Sequence, residues 1–431
     1  MRIVQIVPGA GGDFYCDNCL RDKALTIELR RLGHDVLMVP LYLPLPAEGP
    51  DPSTGTPIFF GGINVYLQQK SSLFRRTPRW LDRLFDVRPL LRWVGRRAAM
   101  TRPEDLGEPT LSMLRGENGR QVKELERLTA WLTSQARPDV VCLSNALLLG
   151  LARRIKAPLA APIVCVLQDE DAFLDALPEP CRSEAWRTVR ERAAEVDALV
   201  AVSRYYAGVM RERLGVAPER VRAVHIGIDP TGFDPAPAPP TPSAIGYVGR
   251  LCKAKGLDTL VEAFLAVRSG GRVPGIRLRV AGSQAPGDRE FIAGIHRRLA
   301  ESGAAADVEF LPALDTAGRQ EFLRSVSVVA APAREPEAFG LFVIESLAAA
   351  VPVVLARVGA YPELVEATGG GVLVEPGDAK ALAAALEELL RATDRTRAMG
   401  ERGRRAVLEQ FHVERMARTM ADCYESIVKR T

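Results

Sequence analysis

Two glutamates, Glu337 and Glu345, frame the apolar run FGLFVI within residues 333–354, AREPEAFGLFVIESLAAAVPVV. A carboxylate is rarely buried without a partner. The preceding run SVVAAP predicts a strand that ends near Pro332, and LFVIESLAAA predicts a helix that begins near Gly340. Both glutamates would then lie beyond the carboxyl end of a strand, where they could accept hydrogen bonds from a polyhydroxylated ligand.

The backbone at the start of this predicted helix offers a second kind of contact. N–H groups around Phe339, Gly340 and Leu341 lack partners inside the helix, so they could hold a phosphate. The alternative is structural: Glu337 caps the helix and Glu345 forms a salt bridge. We favour ligand binding because two cations in another segment are expected at the same strand ends.

Those cations, Arg250 and Lys255, belong to the segment GRLCKAKGLDTL at 249–260. Arg250 follows a predicted strand, and a helix is expected to begin near Gly256. Two cations at a helix start, where unpaired N–H groups and the helix dipole already favour anions, predict a pyrophosphate site. The alternative is a solvated basic loop, which is the plainer interpretation of these residues taken alone.

Residues 7–12, VPGAGG, form a glycine-rich turn after the first predicted strand. The turn does not match the dinucleotide fingerprint G-x-G-x-x-G, because the last glycine would fall on Phe14. Gly11 and Gly12 still predict a loop where backbone can approach a ligand closely.

Cys16 and Cys19 form a C-x-x-C pair in FYCDNCL. No second pair at comparable spacing exists in the sequence, which argues against a structural zinc site. A redox-active pair is conceivable because a helix start lowers a thiol pKa. We favour the plainer alternative of two thiols in a helix-opening loop.

These segments need a scaffold, and short apolar runs that alternate with helical patterns provide one. In LRDKALTIELRRLG, apolar residues recur at helical spacing, and Gly33 is a plausible C-terminal stop. Strands separated by helices indicate parallel βαβ units. The predicted strands are 2–7, 35–39, 139–144, 162–167, 198–203, 244–249, 277–282, 308–311, 327–332 and 352–356.

A proline-rich segment at 229–242, DPTGFDPAPAPPTP, divides this alternation. Six of its fourteen residues are proline, so neither a helix nor a central strand can continue through it. We predict a first domain at 1–228, this linker, and a second domain at 243–410, followed by a helix at 411–431 that could cross back to the first domain. The expected fold class is α/β, with two Rossmann-like, doubly wound parallel-sheet domains that face a cleft.

Composition supports two well-packed domains without extended disorder. Hydrophobic residues make up 47% of the 431 residues and charged residues 26%, while 57 Lys and Arg nearly balance 53 Asp and Glu. This balance gives no reason to expect nucleic acid as a partner. The N-terminal apolar run is too short for a signal peptide, and no stretch approaches the ~20 apolar residues of a membrane span. We therefore expect a cytoplasmic protein.

The stretch EAFGLFVIE resembles the E-x7-E motif of retaining glycosyltransferase family 4, the glycosyl transferases group 1, which have the GT-B fold of two Rossmann-like domains. Further landmarks follow in the family's order and cover nearly the whole chain. They are the GG loop at 11–12, GHDV at 33–36, VSRYY from residue 202, HIGID at 225–229, GRL…KG at 249–256 and PVV…GAYPELVE at 352–366.

The resemblance implies transfer of a sugar from a nucleoside-diphosphate sugar with retention of anomeric configuration. Arg250 and Lys255 would neutralise the diphosphate leaving group, and Glu345 would hold the ribose hydroxyls. Glu337 and the backbone of 338–341 (Ala338, Phe339, Gly340 and Leu341) would hold the transferred sugar. Gly11 and Gly12 would let the first domain close over the phosphates. The matched positions also include Gly249 beside the diphosphate cations, and Leu311 and Pro312, which would meet the base.

Two positions depart from the family's pattern. Ala350 stands where members usually have glycine, which suggests altered packing rather than lost activity. Many members also place a histidine after the strand matching PIVCVL, where this chain has Gln168, Asp169 and Glu170. Gln168, with Asp169 beside it, could contact a sugar or an acceptor, but Gln168 cannot titrate, so we assign no general base.

Arg250 and Lys255 can already neutralise a diphosphate, so we expect a metal-independent enzyme without a cofactor, the nucleotide sugar being a co-substrate. The acceptor, whether glycan, lipid or small molecule, is left open. Two alternatives remain: a same-fold nucleotide-sugar epimerase or phosphorylase, and a catalytically silent sugar-nucleotide-binding protein.

A basic insertion at about 70–115 interrupts the first domain. Within it, residues 73–97, LFRRTPRWLDRLFDVRPLLRWVGRR, carry eight arginines and apolar residues at helical spacing. Such a segment could contact an anionic membrane, making the protein peripheral at the inner membrane face. The alternative, slightly favoured, is a helical lid packed on the first domain.

Overall fold

The computed structural model describes residues 1–9, 17–42, 51–53, 55–60 and 106–430. They divide into two compact units, Met1–His225 with Val413–Thr431, and Ile226–His412. Three features predicted from the sequence lie outside the described residues: the Gly11 and Gly12 loop, Cys16 of the C-x-x-C pair, and the basic segment 73–97.

Twelve strands are found in the described residues, six in each unit. All the pairings between them are parallel. Five of the twelve, β3, β4, β5, β10 and β11, are buried along their whole length, as expected for strands covered on both faces. The strands are β1 Arg2–Val7, β2 Asp35–Pro40, β3 Val140–Leu143, β4 Ile163–Leu167, β5 Ala198–Ala201, β6 Val221–Ala223, β7 Ala244–Val248, β8 Arg277–Ala281, β9 Val308–Leu311, β10 Val328–Ala331, β11 Val353–Ala356 and β12 Gly371–Val374.

Helices connect and cover these strands. Their boundaries follow local rules: Ser203 caps one helix by accepting the Tyr206 N–H at 2.9 Å, and Gly33, with φ of 88°, follows the first helix as predicted. The α-helices of the described residues are α1 Asp17–Arg31, α2 Gly107–Leu114, α3 Val122–Trp131, α4 Ala152–Lys156, α5 Glu170–Asp175, α6 Cys181–Ala193, α7 Arg204–Leu214, α8 Leu257–Gly270, α9 Arg289–Glu301, α10 Thr316–Arg324, α11 Leu341–Ala348, α12 Tyr361–Thr368, α13 Ala379–Arg391, α14 Thr393–Gln410 and α15 Val413–Val428.

The strand order is β2-β1-β3-β4-β5-β6 in the first unit and β12-β11-β10-β7-β8-β9 in the second. In both sheets the order reverses beside the first strand, between β1 and β3 and between β7 and β10. Ligands of doubly wound sheets bind outside the carboxyl ends of the strands at such a reversal. The loops after β7 and β10 are therefore the natural place to look for a site in the second unit.

This architecture confirms the predicted α/β fold with two parallel sheets. The sequence did not predict β6 or β12. The first has only three residues, and the second is largely half-buried and opens with a glycine. Within 229–242 the structure has no helix or strand, and α15 packs against α1 in the first unit. The predicted domain boundaries themselves stay a prediction.

None of the helices in the described ranges has the length and apolar character needed to cross a membrane.

Candidate functional site

Two loops meet at the strand-order reversal of the second sheet, one after β7 and one after β10. The N–H of Arg334 donates to the carbonyl of Ala254 at 2.8 Å, which ties the loops together. Gly256, the N-cap of α8, has φ of 74°, and a Cβ there would lie 1.9 Å from the Pro332 carbonyl oxygen. Only glycine fits this approach, so the glycine sets the spacing between the loops.

Lys255 and Glu337 meet where these loops come together. The Lys255 Nζ lies 2.5 Å from the Glu337 Oε1, and the two side chains are 30% and 18% exposed. Glu337 does not cap α11: the N-cap is Gly340, and the Glu337 backbone carbonyl accepts a hydrogen bond from the Ala360 N–H at 3.0 Å. A cation and a carboxylate predicted from separate segments thus form one pair at the strand ends.

Arg250, the other predicted cation, belongs to the same loop but pairs with a different carboxylate. Its Nη2 lies 2.9 Å from the Asp288 Oδ2, and its Nε donates to the same oxygen at 3.0 Å. Its side chain is 54% exposed, while the Tyr247 hydroxyl donates to its backbone carbonyl at 2.7 Å. The backbone of Arg250 is therefore fixed, and its guanidinium is open to solvent.

The sequence interpretation expected Glu345 to be open to a ligand, but the structure holds it in a buried ion pair. It is 3% exposed, and the Arg319 guanidinium donates to its two carboxylate oxygens at 3.0 to 3.2 Å. The salt bridge that the sequence offered as the alternative is what the structure contains. The correction has a simple cause: Glu345 lies on the buried side of α11, and a buried carboxylate needs a partner. Its role toward a ribose stays a prediction.

The remaining predicted donor-site residues are mostly backbone positions around the same strand ends. Gly340 has φ of 103°, and a Cβ there would lie 2.8 Å from the Tyr361 ring, so this helix start requires glycine. Leu311 ends β9, and the exposed Pro312 begins the following loop. Directly after β7, the Gly249 N–H donates to the Ala281 carbonyl at 3.1 Å. Three further positions, Ala338, Phe339 and Leu341, are 4–5% exposed.

Gln168 lies at the end of β4 in the first unit and is 3% exposed. Its side-chain amide donates to the Ser144 carbonyl, whereas its Oε1 has no hydrogen-bond partner among the described residues. Asp169 follows with φ of 71°, a left-handed conformation that is uncommon outside glycine. The predicted contact of these two residues with a sugar or an acceptor stays a prediction.

Glu170 is the residue of this turn that the sequence interpretation passed over. It is 4% exposed, and its carboxylate accepts hydrogen bonds from the Ala146 N–H at 2.8 Å, the Gln168 N–H at 2.7 Å and the Tyr206 hydroxyl at 3.0 Å. Burial raises the pKa of Glu170 to about 7, although these hydrogen bonds oppose the change. Its carboxylate therefore joins the loop that follows β3 to the loop that follows β4.

A buried ion pair between Arg21 and Asp22 was also missed. The two side chains are 1% and 2% exposed, with the Arg21 Nη1 at 2.7 Å from the Asp22 Oδ1. The Arg21 Nε and Nη2 have no partner among the described residues, and burial raises the pKa of Asp22 against the opposing effect of Arg21. The stretch LRDKAL gives no signal of this burial, because charged residues in a helix usually face solvent.

In the part of the chain that the structure describes, no group of three or more His, Cys, Asp or Glu residues is placed to hold a metal ion. Independence from metal remains a prediction for experiment.

Two models of known protein families match most of the described chain. Residues 231–406 match the model of glycosyl transferases group 1, and residues 101–231 match the model of glycosyltransferase family 4. A D-inositol 3-phosphate glycosyltransferase from Segniliparus rotundus is 33% identical over 219 residues, 49% of this chain and 48% of the relative. One from Mycobacterium tuberculosis is 31% identical over 216 residues, 48% of this chain and 44% of the relative. The chain thus matches about half the length of these curated relatives.

Solved structures resemble the chain over its whole length. HepE from Anabaena, in complex with UDP and glucose, aligns with a TM-score of 0.69 at 17% identity, covering 99% of this chain and 100% of HepE. Sucrose-phosphate synthase from Thermosynechococcus elongatus aligns with a TM-score of 0.70 at 17% identity, covering 100% of this chain and 99% of the synthase. At this identity the likeness establishes the fold. The two family models together cover residues 101–406, most of the chain, so it belongs to the GT-B glycosyltransferases, and its two parallel sheets are those of that fold.

Proposed function

We propose that this protein is a retaining glycosyltransferase that moves a sugar from a nucleoside-diphosphate sugar to an acceptor. The observation that carries the proposal is the Lys255–Glu337 pair, 2.5 Å apart, at the strand-order reversal of the second sheet. Such a reversal is where doubly wound sheets bind nucleotides. A cation and a carboxylate at this point suit a ligand that carries both phosphate and sugar hydroxyls.

The reaction needs charge stabilisation more than covalent chemistry from the protein. The bond between the sugar and the diphosphate breaks, an acceptor oxygen bonds to the sugar on the same face, and the proton of the acceptor hydroxyl passes to the departing diphosphate. Arg250 and Lys255 neutralise the departing diphosphate, while Glu337 binds the transferred sugar. Fixed cations and backbone N–H groups can stabilise such a leaving group without a metal ion.

The nucleotide part of the donor is assigned to the neighbouring loops. The backbone of 338–341 meets the sugar and phosphate, Glu345 the ribose, and the loop after β9 at Leu311 and Pro312 the base. Related proteins support this donor class: HepE was solved with UDP and glucose, and also with UDP-glucose. Gln168 and Asp169 are proposed to contact the acceptor or the sugar.

The acceptor is a glycan, a lipid or a small molecule. A lipid acceptor would agree with the predicted contact of segment 73–97 with an anionic membrane. Sedimentation with anionic liposomes but not neutral ones, with release as salt is raised, is the expected result. Absence of binding at low salt would remove the membrane contact and leave the lid interpretation. The cytoplasmic location is likewise a prediction.

The proposal is tested by a screen of UDP-, GDP- and ADP-sugars for thermal stabilisation, followed by turnover of any sugar that stabilises the protein. Release of nucleoside diphosphate that increases on adding an acceptor, with the α-linked donor giving an α-linked product, supports retaining transfer. Interconversion of nucleotide sugars without release would identify an epimerase. Binding without turnover under any acceptor condition would identify a silent binding protein, and no binding at all would refute the donor class.

A further inference from the structure

Arg319, in α10, is a cation buried in the second unit, with a side chain 4% exposed. Burial of a guanidinium is strongly unfavourable unless its N–H groups find acceptors. The positions of its acceptors therefore indicate what the residue holds in place.

The acceptors of Arg319 come from two separate segments. Its Nε and Nη2 bind both oxygens of Glu345 on α11, at 3.0 to 3.2 Å. Its Nη1 donates to the Leu314 carbonyl at 3.1 Å, and its Nη2 also donates to the Thr316 hydroxyl at 3.2 Å. One planar group thus joins helix α11 to the loop between β9 and α10.

The loop itself is short and fixed at its far end. Asp315, the N-cap of α10, accepts a hydrogen bond from the Gly318 N–H at 2.8 Å, which sets where the helix begins. The loop from Leu311 to Leu314 is therefore held by the strand on one side and by Arg319 on the other. Its conformation and the orientation of the Glu345 carboxylate depend on the same guanidinium.

We propose that Arg319 is a positioning residue for nucleoside recognition. It orients the Glu345 carboxylate toward the ribose hydroxyls and keeps the base-contacting loop in register with that carboxylate. This inference rests on the proposed function, which assigns the ribose to Glu345 and the base to the loop. The forked geometry matters, because a planar guanidinium can contact both oxygens of a carboxylate and a separate carbonyl in fixed directions, whereas an ammonium lacks this rigid fork.

The test is Arg319→Lys, which keeps the positive charge but loses the fork. Binding of UDP, GDP and ADP is measured by calorimetry, and the nucleotide that binds wild type is compared with its 2′-deoxy analogue and with inorganic pyrophosphate. We expect the nucleotide to bind at least about tenfold more weakly to the variant, consistent with losing a bidentate, charge-assisted contact. Pyrophosphate binding should change little, and the 2′-deoxy analogue should lose less affinity than the parent nucleotide.

A matched control is Arg268→Lys in the same unit. Arg268 also joins a carboxylate and a carbonyl, Asp307 at 2.8 Å and Gly303 at 2.9 Å, but at the far end of α8. This variant should bind all the ligands as wild type does. The double variant Arg319→Leu with Glu345→Leu removes both buried charges, so it is expected to fold. It should lose the preference for the ribose 2′-hydroxyl.

Three outcomes would overturn the inference. Equal nucleotide affinity in wild type and Arg319→Lys would show that the fork is not needed. Equal weakening of nucleotide, 2′-deoxy analogue and pyrophosphate would show that Arg319 only supports the fold. If wild type binds none of the three nucleotides, the proposed function fails together with the inference, which separates that result from the first two.

Discussion

Replacement of Lys255 by alanine tests the centre of the candidate site. The amine lies 2.5 Å from the Glu337 carboxylate, in the loop that also carries Arg250. If Lys255 neutralises the departing diphosphate, its loss removes a preorganised charge from the transition state. A contribution of this kind is about 2.7–4 kcal/mol, so kcat should fall by roughly 10²–10³.

The fold should survive this change. The two side chains are 30% and 18% exposed, so solvent screens their attraction, and such a pair stabilises the protein by about 1 kcal/mol or less. A fall in kcat can therefore be distinguished from unfolding by comparing the unfolding temperatures of the variant and wild type. Lys253→Ala is the matched control, because Lys253 is an exposed lysine of the same loop. It should leave both rate and stability unchanged.

The assay is release of nucleoside diphosphate at saturating concentrations of whichever nucleotide sugar the screen identifies. A double variant with Glu337→Gln tests whether Lys255 acts on the leaving group or only through its pairing with Glu337. If the lysine acts on the leaving group, Lys255→Ala with Glu337→Gln should be slower than either single variant. A rate for Lys255→Ala within about threefold of wild type would refute the leaving-group role. The loss of transition-state stabilisation would then be less than about 1 kcal/mol.

Three further predictions concern stability, pH and metal. Ala350 follows α11 with φ of 56°, so Ala350→Gly should stabilise the protein by about 0.5–1 kcal/mol in chemical unfolding. Ala349→Gly, at φ of −79°, should destabilise it. Destabilisation by Ala350→Gly would contradict the strain argument. Because the folded-state pKa of Glu170 is about 7, above its usual 4.5, the folded state binds more protons between these values. Stability should therefore fall as pH rises through that window, by up to about 3 kcal/mol, and Glu170→Gln should reduce the slope of unfolding free energy against pH; an unchanged slope would assign it to other groups. Transferase activity should survive EDTA, and strict dependence on magnesium or manganese would contradict the metal-free assignment of the phosphate site.

Much of the scaffold could be predicted because its signals are local. Continuous apolar runs such as those of β4 and β11 are typical of parallel strands buried on both faces, and glycines marked the helix starts at Gly256 and Gly340. The meeting of Lys255 and Glu337, 82 residues apart, could also be anticipated. Both follow strands, and the carboxyl ends of parallel strands lie along one edge of a sheet.

The partners of charged side chains could not be predicted in the same way. Nothing in the residues around Glu345 points to Arg319, which lies 26 residues upstream on another helix. Likewise, the sequence LRDKAL does not reveal that Arg21 and Asp22 are almost fully buried. A helical pattern shows which face is apolar, but not what covers the polar residues at the margin of that face.

The sequence by itself determined the alternation of strands and helices, the glycine positions at the helix starts and the family to which the chain belongs. Each depends on a local property of the backbone or on the order of motifs along the chain. Tertiary structure decided that Glu345 is held by Arg319 and that Glu170 is buried with a raised pKa. The physical reason is that the energy of a charge depends on its distance to other charges and on its removal from water, and both are set only when distant segments pack together.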